Sequence, residues 1–399
     1  MAKVLLALAV VVLAARLVGA LAQRIGQPRV VGEIIAGVLI GPSVLGLLGG
    51  PFDTEDLFPK ETRGALGTIG QLGLLFYMLL VGLGFDPKML AGGLRSVSVV
   101  AVAVVAVPVG AGFAILPVMW DERFAAGDSR MGFALFLGAM LAVTAFPVMV
   151  RILEERSLDR TAFGVVAIAS AAIVTVLMFV VTAFAREVST GADTADLIMV
   201  PIRIVVYLVL MLAIARPVLS RFGDRIVTQS PTGMLALVVI IALVSGRLAV
   251  EAGLGVIVGG FVAGLTVPAR TMVGPVVDAR LTDLVTAVLL PVFLANSGLA
   301  TDLTTLGAGT LPGLALFLVV AVVAKLAVGV GVARAVGLPA NEAKALGVLV
   351  NCRGLLVLVV GLAALEAGVI TPQMQVGSVL VALVTTAMTG PLFSRALAR

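Results

Sequence analysis

Leu346–Leu362 reads LGVLVNCRGLLVLVVGL, and fourteen of these seventeen residues are apolar or glycine. Asn351, Cys352 and Arg353 stand in the middle of it. An arginine at the centre of a lipid-spanning helix costs about 2.5–3.5 kcal/mol on insertion scales. Such a residue faces a protein interior or a water-filled cavity, and it has a partner there. What partners Arg353 is the question the other residues have to answer.

The chain has 399 residues, 61% hydrophobic and 12% charged. A soluble surface needs about a quarter of its residues charged, so this balance excludes one. Apolar runs of about 20 residues, enough to cross a ~30 Å hydrocarbon core, recur along the whole length. The fold class is an all-α polytopic membrane protein with about thirteen transmembrane helices. Cys352 is the single cysteine and there is no histidine, which removes disulfides, thiolate metal sites and the commonest general base. No P-loop, Rossmann fingerprint or zinc spacing stands in a workable context, so no cofactor and no metal site is expected. The net charge of +5 is explained by membrane topology, and nucleic acid is not an expected partner. The lipid bilayer is. The opening stretch, Lys3 with Val4–Ala22 after it, resembles a secretory signal. The chain beyond it continues as membrane protein, however, and the stretch reads as the first span.

The thirteen apolar segments are approximately Val4–Ala22, Val30–Leu47, Leu66–Leu83, Val97–Met119, Gly132–Leu153, Thr161–Ala185, Ile198–Leu219, Thr232–Val250, Leu254–Pro268, Leu281–Leu299, Gly313–Val336, Ala345–Leu365 and Val376–Leu397. The ninth is short and glycine-rich. The longest polar loop is about Gly49–Gly64, so no extramembrane domain is expected. Alternate loops hold seven Lys/Arg on one side, from Lys3 and Lys60 to Arg247, and sixteen on the other, from Arg24 and Lys88 to Arg270 and Arg399. The richer side faces the cytoplasm. This places the N-terminus outside and the C-terminus inside, in a bacterial inner (plasma) membrane. Arg16, Arg203, Lys325 and Arg353 lie within segments.

Six segments, one linker and six more give two halves of opposite orientation in a single transmembrane domain over 1–399. Repeat one covers about 1–185, the linker helix about 198–221 and repeat two about 232–399. The fifth segment carries Thr144-Ala145-Phe146-Pro147 at its middle, and the twelfth carries Asn351-Cys352-Arg353-Gly354 at the corresponding place. Pro147 removes a backbone hydrogen bond. Paired mid-membrane interruptions in corresponding positions point to a transport site. Each taken alone also reads as a tolerated kink or a packing contact.

Several stretches together resemble the Kef-type monovalent cation:proton antiporters of the sodium/hydrogen exchanger family. They are Pro28–Gly37 continuing through Gly41–Gly46, Leu74–Leu83, Thr144–Leu153, Gly259–Leu265, and Asn351 to Leu355. The resemblance runs nearly end to end. It implies antiporter-like inverted repeats with two broken crossing helices, a homodimer, and competition of cation and proton for one or two aspartates on the sixth segment. Where the family pattern is roughly Ala-Ile-Asp-Asp-Val, this chain has Ala172-Ile173-Val174-Thr175-Val176. The family's Glu after the arginine of the twelfth segment is Val357 here. The eleventh-segment lysine of the electrogenic branch is present as Lys325. The acids are gone and the bases remain.

Exchange needs a group that is negative when holding the cation and neutral when protonated, and Val174 and Thr175 cannot supply it. Glu33, Glu251, Asp86, Asp278, Asp283, Glu342 and Glu366 lie at ends or in loops, and Glu33 reads as an interfacial carboxylate bonding Arg29 or a helix N-terminus. Lys325 can release its proton and Arg353 cannot. Helix N-termini converging on the crossing would add positive potential. The site is therefore read as degenerate for cations. Thr144, Pro147, Ser170, Val174, Thr175, Lys325, Asn351 and Arg353 are the candidate substrate-binding residues, with Asn296 and Ser297 as further polar groups. In one reading carbonyls freed near Pro147 and Gly354 hold Arg353. In another the site takes a small anionic or amphiphilic organic molecule, as a transporter. A membrane-embedded isomerase or cyclase is a third, with Lys325 and Arg353 as catalytic proton donor and oxyanion stabiliser. The alternative to all of them is a genuine monovalent cation:proton antiporter using Thr175, carbonyls and a titrating Lys325.

Overall fold

The computed structural model describes residues 1–48, 57–84, 94–267, 273–299, 301–354 and 356–397. Lys88, Arg270, Arg399, Asp86, Pro268, Leu355 and the first half of the Gly49–Gly64 loop lie outside the described residues, as do the side chains of Pro147 and Arg151. Among the described residues the regular structure is helical, joined by turns and loops, apart from one isolated bridge between Ala125 and Ile370. In chain order the helices are α1 (Ala2–Arg24), α2 (Arg29–Ile40), α3 (Leu45–Leu48), α4 (Lys60–Gly84), α5 (Leu94–Met119), α6 (Arg130–Ala142), α7 (Phe146–Glu155), α8 (Ala162–Ser189), α9 (Thr194–Val209), α10 (Arg216–Gln229), α11 (Pro231–Glu251), α12 (Gly255–Thr266), α13 (Val273–Leu284), α14 (Leu290–Leu299), α15 (Leu311–Ala335), α16 (Ala340–Asn351), α17 (Leu356–Glu366) and α18 (Pro372–Leu397).

Among the described residues, ten helical stretches are long and apolar enough to cross a membrane, and α6 and α12 are shorter apolar helices. Every one of the thirteen expected segments carries helix. Starts are set by local chemistry. Ser129, Thr161 and Ser230 each accept the N–H three residues on, from Gly132, Gly164 and Gly233, which satisfies an otherwise unpaired donor. Two π-helical stretches, Leu210–Ala215 and Val285–Leu289, join α9 to α10 and α13 to α14. Each precedes a proline by two residues (Pro217, Pro291), whose absent N–H leaves the ladder one bond short and lets it slip to i→i+5.

The described chain forms two compact units, each interleaved in sequence. The first comprises Met1–Arg16, Leu48–Asp86 and Asp193–Asn296. In it, α12 packs between α4 and α11 through Gly259, Gly260 and Gly264, and a buried chain of hydroxyls runs from Tyr207 to Ser245 to the Gly259 carbonyl, 2.8 Å at each step. Repeat boundaries do not coincide with the units, since the first takes residues from both halves.

The second unit comprises Leu17–Leu47, Pro87–Ala192 and Ser297–Arg399. It holds both interrupted segments. The fifth segment is α6 and α7 with a break at 143–145, and the twelfth is α16 and α17 with a break after Asn351. Each first half-helix leans on its neighbour at a glycine pair. A Cβ on Gly112 of α5 would lie 2.6 Å from the Gly138 nitrogen of α6, and one on Gly329 of α15 would lie 2.6 Å from the Gly347 Cα of α16. Gly138 and Gly347 each stand four residues before the end of their half-helix. Both half-helices end on an extended residue, Val143 (ψ 138) and Cys352 (ψ 121). The same device is therefore used twice, in register. Glu33 is buried beside Gly19, where α1 and α2 cross tightly at Gly19 and Gly32.

One end of this unit is laced together by loops. Ala126 N donates to Val369 O, Thr371 N to Phe124 O, and Thr371 Oγ1 to Arg123 O. Arg123 chelates Asp121 and donates to the Gly309 carbonyl at 2.6 Å. The Arg123 side-chain hydrogen bond, then its backbone bond, holds the exposed Asp121 carboxyl down at about 2.

This packing sets two expected outcomes. Gly112→Ala lowers thermal stability in detergent by about 1–3 kcal/mol through overpacking, whereas Gly110→Ala, which meets nothing within 4 Å, leaves it unchanged. Because the folded Asp121 value is depressed, its contribution is present above the ordinary carboxylate range and is lost as pH falls from about 4 toward 2. Amide protection factors at Ala126 and Thr371 are thus flat between pH 5 and 9 and drop only below about 4.

Candidate functional site

Lys325, on α15, is fully buried within the second unit. Its Nζ donates to Val104 O (3.1 Å), Ala142 O (2.5 Å) and Thr144 Oγ1 (2.9 Å). An ammonium has three N–H donors, and all are used. Thr144 lies in the break between α6 and α7, and its hydroxyl donates to Val350 O at 3.0 Å. Ala145 N donates to Cys352 O at 2.6 Å. The two breaks therefore meet each other through backbone.

Arg353, also fully buried, lies in the second break. Its Nη1 donates to Met140 O (2.7 Å) and to Leu141 O, and its Nη2 to Ala321 O (2.5 Å). Its Nε and the Asn351 Oδ1 have no hydrogen-bond partner among the described residues. Asn351 Nδ2 makes only a long contact to Met388 Sδ, 3.7 Å. Gly354 adopts φ +51, a left-handed value that suits glycine, and its N–H donates to Thr386 Oγ1.

Met140, Leu141 and Ala142 are the last three residues of α6. Carbonyls at a helix C-terminus have no intrahelical partner and carry the negative end of the dipole. Lys325 and Arg353 cap all three. The bases lie against a C-terminus, whose carbonyls oppose the positive potential of the N-termini of α7 and α17, which begin just after the two breaks. Counter-charge is supplied by backbone, and freed carbonyls hold Arg353.

Of the candidate residues, the structure joins Thr144, Lys325 and Arg353 in one network, with Asn351 at the end of α16 beside it. Pro147 belongs to α7, with its side chain outside the described residues. Ser170 and Thr175 are buried on α8 but spend their hydroxyls elsewhere, on Val97 O (3.3 Å) and on Ala171 O (2.9 Å). Val174 is buried and apolar. Ser297 belongs to the second unit and Asn296 to the first. The residues not foreseen are Val104, Met140, Leu141, Ala142 and Ala321, which act through carbonyls and so leave no side-chain signature. Thr386, in the Thr385-Thr386 pair, is visible in the sequence only as a polar pair in an apolar helix. No group of three or more His, Cys, Asp or Glu that could hold a metal occurs among the described residues.

The sequence profile described as "Sodium/hydrogen exchanger, transmembrane" matches residues 10–399. The chain belongs to the sodium/hydrogen exchanger family. It is 35% identical over 384 residues to the Na(+)/H(+) antiporter NhaS4 of Synechocystis, covering 95% of this chain and 93% of that one. It is 31% identical to Cation/H(+) antiporter 19 of Arabidopsis thaliana over 98% of its length, and spans about half (49%) of that longer protein. The sodium proton antiporter MjNhaP1 from Methanocaldococcus jannaschii superposes with a TM-score of 0.68 over the whole of both chains at 18% identity, which fixes the fold. Integral membrane location goes with the family and the apolar helices.

If the guanidinium fork is what matters, Arg353→Lys destabilises the protein even though it keeps the charge. One ammonium cannot span Met140, Leu141 and Ala321, and each carbonyl left bare costs about 1–3 kcal/mol. Thermal unfolding in detergent measures this; a variant as stable as the parent would show that charge alone is required.

Proposed function

We propose that the protein is a monovalent cation:proton antiporter in which Lys325, and not a carboxylate, carries the charge that competes with the cation. One observation supports this above the rest: Lys325 Nζ sits among three oxygens, from Val104, Ala142 and Thr144. Carbonyl and hydroxyl oxygens are the ligands that replace an alkali cation's hydration shell. An ammonium in that set is a tethered monovalent cation. When Lys325 is a neutral amine, the same oxygens can hold a free cation at the same total charge. When it is protonated, the cation is excluded both by charge and by occupancy. Proton and cation are thereby mutually exclusive without an acid, and the C-terminal carbonyls of α6 offset the fixed charge of Arg353. Antiporter activity named for NhaS4 and for the plant relative agrees with this assignment.

An organic-anion carrier or an isomerase/cyclase is less well supported. Lys325 already donates all its N–H groups and Arg353 donates both Nη atoms to backbone or hydroxyl oxygen. Lys325 would have to abandon those bonds to meet an anion, leaving carbonyls bare, and Arg353 has only its Nε–H and one Nη2–H left to offer. We further assign the N-terminus to the outside and the C-terminus to the cytoplasm of a bacterial inner membrane, from loop charge, and a homodimer, from the family.

Reconstituted into sealed vesicles, the protein should dissipate an imposed pH gradient on addition of Na⁺, K⁺ or Li⁺. Lys325→Met and Lys325→Arg should both abolish the response, since neither can exchange a proton. Thr144→Val should raise the cation KM about tenfold by removing one ligand. A gradient indifferent to all three cations would sink the reading, and turnover of a hydrophobic substrate in detergent would transfer it to the enzyme.

A further inference from the structure

A carbonyl inside an α-helix is ordinarily bonded by the N–H four residues on. Val104 stands in the interior of α5, four residues before Pro108, which has no N–H to give. It is this carbonyl that accepts from Lys325 Nζ. The second repeat supplies a comparison. Counting back eight from the crossing glycines Gly112 and Gly329 gives Val104 and Ala321, and counting back four gives Pro108 and Lys325. Ala321 also offers its carbonyl to a base, Arg353. At its i+4 position, however, stands Lys325 with an N–H, so the Ala321 oxygen is shared with the helix. The pairing is also mirrored in the breaks: Thr144 donates to Val350, and Arg353 to Leu141, the residues one before the end of the opposite half-helix.

We propose that Pro108 is a positioning residue of the exchange site. By withholding an N–H it leaves the Val104 oxygen wholly available as a ligand, to the Lys325 ammonium in one state and to the monovalent cation in the other. This rests on the exchange reading given above. A proline in a helix interior is costly, and α5 carries a second one, Pro117. Pro117 frees the carbonyl of Phe113, a partly exposed residue, and no buried donor is found there among the described residues. Pro117 thus serves as the internal control for a kink without a ligand.

Pro108→Ala restores the Val104 helix bond. In proteoliposomes it should raise the cation KM about tenfold while kcat changes little. In detergent its Tm should equal or exceed that of the parent. Pro117→Ala should leave KM unmoved. Weaker cation binding together with undiminished stability is a combination that a general loosening of the helix does not produce. A second readout needs no transport: the Tm loss caused by Lys325→Met should be smaller when Pro108→Ala is already present than in the parent, because the contact is already weakened. A cation KM within about twofold of the parent, where the parent exchanges, overturns the proposal. So does a Lys325→Met penalty identical in both backgrounds. A parent with no cation response removes the exchange reading alone, and the unfolding cycle still decides the role of Pro108.

Discussion

Two buried bases held by the end of one half-helix set the terms for the second unit. Met140, Leu141 and Ala142 have no helical partners, and Arg353 and Lys325 are held without acids. Each set satisfies the other. Neither could exist alone at this depth, since bare carbonyls and unpaired cations are both costly away from water. The break in the fifth segment is therefore a requirement of the charges on the eleventh and twelfth, and the reverse is equally true.

That exchange of partners has an electrostatic consequence. A carboxylate brings a full charge that disappears on protonation, whereas a helix terminus brings about half a charge that is permanent. Val174 and Thr175 bring no charge, so in the exchange reading proposed above the counter-charge is a fixed one. In that reading the proton traffic falls on Lys325, since Arg353 keeps its proton. The mutual contact of the two breaks, Thr144 to Val350 and Ala145 to Cys352, holds the bases and the carbonyls in one frame while this happens.

How much of this is legible in the sequence divides along chemical lines. Hydrophobic runs reveal the spans, and Pro147 and Gly354 mark the interruptions, because those features are written in side chains. Thr144 is foreseeable for the same reason. The partners of Lys325 and Arg353 are not, since a carbonyl belongs to every residue and its freedom depends on where a helix stops. Nor does the sequence show where the Ser170 and Thr175 hydroxyls donate: a hydroxyl on a helix defaults to a nearby carbonyl, as Thr175 does with Ala171. Glu33 stands near a helix start in the sequence, and its burial follows from the α1–α2 crossing at Gly19 and Gly32, a contact the sequence alone does not display.

The glycine crossings at Gly112–Gly138 and Gly329–Gly347 bind packing to charge in a way their chemistry alone does not suggest. Gly138 lies one turn from the carbonyls that hold Arg353 and Lys325, on the same rigid half-helix. Pushing that half-helix outward by the width of a methyl group would carry its carbonyl rim away from both cations at once. A purely steric change, at a residue that touches neither base, would then read out as an electrostatic defect. In this protein small residues act as spacers that set how strongly two charges are held.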